Sequence, residues 1–188
     1  CSGAGVPMSQ IVCDAGIAMI SPSNTAPVLT DPETRQSCYF RTAHNDKVQG
    51  RAMAEYVFNE LGLTRAAAVH DGDPYTEGLA SVFRDSFIEL GGEIVAFEAE
   101  AADATNVEPL LTSIAAAEPE LIYYPVFIPL GSLITKTAKE IDGLEGVVLA
   151  AADGVQSPDF IDASGQAAEG MYVFFFNDTA TTEIYTTF

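Results

Sequence analysis

The sequence predicts an α/β domain built on a mostly parallel sheet with helices on both faces. Three observations carry that prediction. Short apolar runs of strand length alternate between Arg65 and Ala150 with amphipathic stretches of about 10–15 residues. Glycines close several of those stretches, at Gly62 and at Gly91-Gly92. Hydrophobic residues make up 48% of the 188 and charged residues 19%, enough for a sizeable core and against disorder.

The elements follow in order. A helix-like segment runs from about Pro7 to Ala15 with Gly16 as its stop, and Ile17–Ile20 is a short buried-strand candidate. Ser21-Pro-Ser-Asn-Thr-Ala-Pro27 packs turn formers together and reads as a loop. Tyr39–Thr42 is a second short strand. Asn45 or Asp46 can cap a helix reaching about Leu61, with Val48, Ala52, Tyr56 and Val57 as its apolar face. The period then repeats. Arg65–His70 is a strand, and Thr76–Leu90 a helix with Leu79, Val82, Phe83, Phe87 and Leu90 inward. Glu93–Glu98 is a strand, Val107–Ala117 a helix, Leu121–Tyr124 a strand, Leu130–Ile141 a helix and Val147–Ala150 a strand. In such sheets ligands sit beyond the carboxyl ends of the strands, which singles out Ser21–Thr25, Asp71–Tyr75, Pro125–Pro129 and Ala151–Gln156.

Charge narrows the function. Asp and Glu number 27 against 8 Lys and Arg, a formal charge of −19, so the basic face that nucleic acid requires has little to be built from. No run approaches the roughly 18 apolar residues of a membrane span.

Candidate chemistry is sparse. Cys1, Cys13 and Cys38 lack paired short spacings, and with only two His a metal centre is not expected. Cys13 and Cys38 read either as buried thiols or as a disulfide of an exported protein. Asp71-Gly-Asp73 after a strand has the outline of a haloacid-dehalogenase phosphatase motif, but Tyr75 stands where Thr or Val belongs, and Asp-Gly-Asp-Pro is ordinary turn and cap chemistry. There is no Gly-x-Ser-x-Gly. Ser2-Gly-Ala-Gly5 has two glycines of a dinucleotide fingerprint but no third. What remains on neighbouring loops is Ser2, Ser23, Thr25, Tyr75, Phe127 and Asp153. Hydroxyls, aromatics and one carboxylate make a recognition surface for a small polar molecule rather than a reaction centre.

At this point the chain resembles a known family. Cys1-Ser-Gly-Ala-Gly5 and Asp14-Ala-Gly-Ile-Ala-Met-Ile-Ser-Pro-Ser-Asn-Thr25 are similar to the periplasmic leucine/isoleucine/valine-binding proteins of branched-chain amino acid ABC transporters. The likeness continues through Phe40-Arg-Thr42, Gln49-Gly50, Val69-His-Asp71, Tyr75-Thr-Glu-Gly-Leu79, Gly91-Gly92, Tyr123-Tyr124, Asp153-Gly154 and Gly165-Gln-Ala-Ala-Glu-Gly-Met171. No single motif is diagnostic; it is the ordered series from Cys1 to Val173 that makes the resemblance strong.

The resemblance implies the type I periplasmic-binding-protein fold, two α/β lobes with the ligand in the cleft. It assigns residues 1–43 to part of a first lobe, 44–171 to a second lobe and 172–176 to the start of a return crossover. It implies that Ser2 and Thr25, with Asn24 and the Ser23 backbone beside them, receive a ligand α-carboxylate. Tyr75, Tyr124 and Phe127 would face the ligand from the second lobe, and Asp153 would receive the α-ammonium where the best-known members carry the longer Glu. The expected ligand is a branched-chain or other aliphatic amino acid. No cofactor, metal or nucleic acid is expected, and neither is catalysis. The expected partner is a membrane permease complex, the expected state a monomer, and the expected location periplasmic or membrane-anchored outside the cell, the signal sequence lying outside this fragment. A ligand-sensing domain of the same fold is the alternative, with a haloacid-dehalogenase-type phosphatase behind it. One stretch stands apart: Asn177-Asp-Thr-Ala-Thr-Thr-Glu-Ile-Tyr-Thr186 is what a common sequencing-adapter string encodes in frame, so residues 177–188 are read as an artefactual tail.

Overall fold

Alanine dominates two strands of the larger sheet, and that lets helices settle closely on both of its faces. The structure is a computed structural model that describes the backbone of residues 2–176 and 182–186 and the side chains of residues 2–174. Helix α1 (Ser2–Asp14) precedes β1 (Met19–Ser21) and β2 (Tyr39–Arg41), which pair in parallel with Met19 opposite Tyr39. The chain continues through α2 (Asp46–Glu55), β3 (Arg65–His70), α3 (Pro74–Glu89), β4 (Glu93–Ala99), α4 (Glu108–Ala116) and β5 (Leu121–Tyr123). Then come α5 (Ile128–Ala138), β6 (Val148–Ala152), α6 (Pro158–Ser164), β7 (Tyr172–Phe176) and β8 (Thr182–Thr186).

The larger sheet has the order β4-β3-β5-β6-β7-β8, parallel throughout except for β8, which runs antiparallel to β7 at the edge. Strand periodicity sends alternate residues to opposite faces. Ala66, Ala68, Leu121, Tyr123, Ala150 and Ala152 meet Met53, Val57, Leu79, Phe83 and Phe87 of the α2–α3 layer. Ala67, Val69, Ile122, Tyr124 and Ala151 meet Leu111, Ile114, Leu130, Ile134 and Phe160 of the α4–α6 layer. With such short strand side chains, aromatic rings fill the space: Phe83 lies 4.6 Å from Tyr123 and 5.4 Å from Phe87, centroid to centroid. Each such ring removed from water stabilises the fold by about 1.5–3 kcal/mol.

The expected alternation of strands and helices between Arg65 and Ala150 is present, with boundaries shifted by at most three residues. Three expectations need correction. Strand β1 covers Met19–Ser21 rather than Ile17–Ile20, and Ile17 and Ile20 are exposed rather than buried. Helix α1 begins at Ser2, not near Pro7: the glycine-rich start is helical because it is pressed against its neighbours, and a Cβ on Gly3 would overlap the Asp73 carboxylate. Helix α2 does start after the Asn45 cap, whose side chain accepts from the Lys47 amide at 2.9 Å, but its inward face is rotated from the expected one. Val48 is 54% exposed, while Asp46, Gln49, Gly50, Met53 and Ala54 are buried. A Cβ on Gly50 would come within 3.0 Å of the Phe83 backbone nitrogen, so glycine there sets how closely α2 and α3 approach.

Cys13 and Cys38 form a disulfide, joining the end of α1 to the residue before β2 with a Cα–Cα distance of 5.5 Å. The suspected tail lies partly outside the described residues; β8, within it, occupies the sheet edge rather than its middle.

Candidate functional site

The strand ends β3, β5 and β6 open toward the loop that follows β1, and a cavity of about 270 Å3 lies between them. Ser2, Ser23, Thr25, Tyr75, Phe127, Asp153 and Gly154 line it.

The loop after β1 is shaped by its own hydroxyls. Ser21 Oγ accepts from the Ser23 and Asn24 amides at 3.2 and 3.0 Å, a local turn that Ser favours. Arg41 holds the far side, donating to the carbonyls of Asn24 and Ala26 at 3.2 and 3.0 Å and to the Thr30 hydroxyl. Ser2, at the start of α1, accepts from the amides of Thr25 and Ala26 at 3.2 and 3.1 Å. With both acceptor positions of its oxygen used, its proton is the polar capacity left over, so Ser2 can serve an anion but not a cation.

The opposite wall is organised by Asp153, on the turn after β6. Its Oδ1 accepts from the Tyr75 hydroxyl at 2.8 Å and from Gln49 Nε2 at 2.9 Å. Burial, and then the neighbouring Asp153 charge, raises the Tyr75 hydroxyl well above its ordinary range, so Tyr75 is a fixed donor. Tyr75 owes its place to the Asp71–Pro74 turn. Asp73 caps α3, accepting from the Tyr75 amide at 2.8 Å, while Asp71 accepts from the Asp73 amide and the Thr76 hydroxyl. Both carboxylates of the phosphatase-like motif are thus engaged in turn and cap. The Tyr75 ring lies 5.5 Å from that of Phe127.

Behind the wall sits Asp46, which the sequence reading missed as a functional residue. It is fully buried, and neither carboxyl oxygen makes a hydrogen bond of normal geometry. Burial, with a smaller push from the Asp153 charge, raises its carboxyl to about 7 against the pull of Thr25 and Arg41. The Tyr123 hydroxyl, buried and unpartnered, is raised by burial and by the charges of Asp46 and Asp153. Gln49 completes this layer. The signal that could have found Asp46 and Gln49 is their spacing, three residues apart on the first turn of one helix face.

Of the residues singled out from sequence, Ser2, Ser23, Thr25, Tyr75, Phe127 and Asp153 meet at the cavity. Asn24 and Tyr124 are not among its lining residues. Asn24 is buried against Gly5, where a Cβ would come within 2.5 Å of Asn24 Oδ1. Tyr124 follows Tyr123 and therefore points to the other face of the sheet. Its ring is buried in the α4–α6 layer, with the hydroxyl 2.8 Å from Thr135 Oγ1. No cluster of three potential metal ligands occurs among the described residues.

A parallel sheet whose strand ends carry hydroxyl donors on one wall and a fixed carboxylate on the other defines a small-molecule binding module. The chain belongs to the periplasmic binding protein family, whose model matches residues 1–188. It is 31% identical over 173 residues to the leucine-specific-binding protein of Salmonella typhimurium, covering 92% of this chain and 46% of that one. It is 30% identical to the Leu/Ile/Val-binding protein of Escherichia coli strain K12, with the same coverage. The chain thus spans less than half the length of these curated relatives. Among solved structures, the leucine-binding protein LivK of Thermotoga maritima superposes with a TM-score of 0.81 at 24% identity, over 93% of this chain and 49% of that one. The isoleucine complex of LivJ from Streptococcus pneumoniae gives 0.76 at 26% identity, over 95% and 50%. The solute-binding protein of R. palustris in complex with benzoate gives 0.80 at 23% identity, over 96% and 49%. The family is one of binding proteins rather than enzymes.

Proposed function

We propose that this chain forms most of one lobe, and part of the facing lobe, of an extracytoplasmic substrate-binding protein that delivers an aliphatic amino acid to an ABC permease. One observation carries the reading: hydroxyl donors of the first 25 residues and the Asp153 carboxylate face each other across one cavity. A zwitterion needs that pair, donors for its carboxylate at one end and an acceptor for its ammonium at the other. A volume of about 270 Å3 lies just below the ~300–1,000 Å3 usual for ligand pockets and suits a molecule of amino-acid size.

Residues 1–43 belong in this reading to the first lobe and 44–171 to the second. The exposed Ile11, Ile17, Ile20 and Phe40 on the α1–β1–β2 unit support it, as apolar surface that further first-lobe structure would cover. A ligand gripped from both sides favours the closed arrangement of the lobes, the form a permease would select. A carboxylate in the cavity favours an amino acid over an aromatic acid such as benzoate, which has no cation to offer it.

The test is a titration of the chain with L-leucine, L-isoleucine, L-valine and benzoate, followed by amide NMR shifts, which detect millimolar binding. Saturable shifts at Thr25, Tyr75 and Gly154 with the amino acids and not with benzoate are expected. Binding of benzoate and of none of the three amino acids would end the amino-acid assignment.

A further inference from the structure

Asp153 is an exposed residue on a short turn, and a carboxylate so placed ordinarily samples several rotamers. Here one of its oxygens is held from two sides, by Tyr75 at 2.8 Å and Gln49 at 2.9 Å. Gln49 is itself fully buried, and its Nε2 also donates to the Phe174 carbonyl of β7 at 3.2 Å. Both of those partners are acceptors only, which fixes the orientation of the amide. Its oxygen therefore faces His44 Nε2 at 2.9 Å, and that ring nitrogen must carry a proton toward it. Both donors and one acceptor direction of a buried neutral side chain are thus spent on the approach to α2, the turn after β6 and β7.

We propose that Gln49 is a positioning residue for ligand capture: by occupying Asp153 Oδ1 together with Tyr75, it leaves Oδ2 as the acceptor for a ligand ammonium. The inference rests on reading the cavity as a zwitterion site. It goes further in assigning the carboxylate's setting to a residue outside the cavity lining, one that also grips β7. A neutral amide suits this place better than a second acid, because Asp46 already occupies the same helix face one turn earlier and Asp153 lies in front.

Two variants test it. Gln49→Met keeps length and burial but cannot donate, and Gln49→Glu keeps shape but replaces the donor with an acceptor. Each is titrated with L-leucine and with 4-methylpentanoate, the same chain without the ammonium, in wild-type and Asp153→Asn backgrounds. Hydrogen bonds to charged groups predict that either variant weakens leucine roughly 10-fold or more, and 4-methylpentanoate by less than about 2-fold. In the Asp153→Asn background the further loss should vanish. Independently of any ligand, the Asp153 carboxyl 13C and Tyr75 ring resonances should move in Gln49→Met. Equal losses for both ligands, an undiminished loss in the Asp153→Asn background, or resonances that stay put would overturn the positioning role. A wild-type chain that binds no amino acid overturns the zwitterion reading instead, and the ligand-free resonances still decide the role of Gln49. Should Gln49→Met fail to fold, Gln49→Glu carries every comparison.

Discussion

The Tyr75 hydroxyl donates to Asp153 Oδ1 at 2.8 Å, joining the first turn of α3 to the loop after β6 across 78 residues of sequence. The bond makes the aromatic wall and the carboxylate of the cavity one unit. Tyr75→Phe should keep the ring against Phe127 and lose the donor. Leucine affinity is expected to fall roughly 10-fold or more, as for other hydrogen bonds to a charged acceptor, with the melting temperature little changed. Calorimetric or NMR titration checks it; an unchanged affinity would detach Tyr75 from Asp153's role.

Replacing the charge itself should cost more. In a protein with both lobes complete and the cleft closed, Asp153→Asn is expected to weaken an aliphatic amino acid by about 2–5 kcal/mol, and to leave ligands without an amine nearly unaffected. Equal losses for 4-methylpentanoate and leucine would make Asp153 a turn residue only.

Asp46 should write a pH dependence into stability. Its folded carboxyl titrates at about 7, well above the ordinary carboxylate range of the unfolded chain. Between those limits the folded state retains a proton that the unfolded state has lost, so stability falls as pH rises from about 4 to about 7. Asp46→Asn should flatten that fall and exceed wild type at pH ~8, by up to on the order of 4 kcal/mol, while matching it near pH ~4. Urea unfolding across that range is the measurement, and a wild type that is the more stable at the alkaline end would contradict it.

Tyr124→Phe separates core from site. Thr135 Oγ1 donates to the Gly131 carbonyl at 2.7 Å and so receives the Tyr124 proton. Removing that proton should cost about 1 kcal/mol of stability and leave ligand affinity within about 2-fold. A large loss of affinity would return Tyr124 to the cleft.

The Cys13–Cys38 disulfide closes a loop with a sequence separation of 25. Loops of that length are stabilised by about 3 kcal/mol, so the Cys13→Ser, Cys38→Ser double variant should show a correspondingly lower urea midpoint, with amide exchange rising first in α1 and β2.

Periodicity made the strand–helix alternation legible, and the rule that ligands gather at strand ends made Ser23, Thr25, Tyr75, Phe127 and Asp153 legible, though not Ser2 on α1. The α2 face was not legible, for a physical reason. Its buried stripe includes Asp46, Gln49 and Gly50, which look like surface residues, whereas the apolar Val48 faces solvent. A helix that borders a polar site violates the amphipathic pattern on which such readings depend. The helical start of α1 was hidden similarly: Gly3 and Gly5 signal a loop by propensity, but here they admit Asp73 and Asn24. Tyr123 and Tyr124 could not be told apart without knowing which side of β5 faced the helices bearing Tyr75 and Gln49.

That side-by-side pair divides the protein's freedom to change. On the Tyr123 side, the α2–α3 layer carries Tyr75, Asp46 and Gln49 among its packing residues, so substitutions there reach the cavity wall. On the Tyr124 side, the α4–α6 layer packs Leu111, Ile114, Ile134 and Phe160 around the buried Tyr124–Thr135 hydrogen bond. A library restricted to the second flank is therefore the place to seek stabilised forms whose Tyr75, Asp46 and Gln49 stay unchanged.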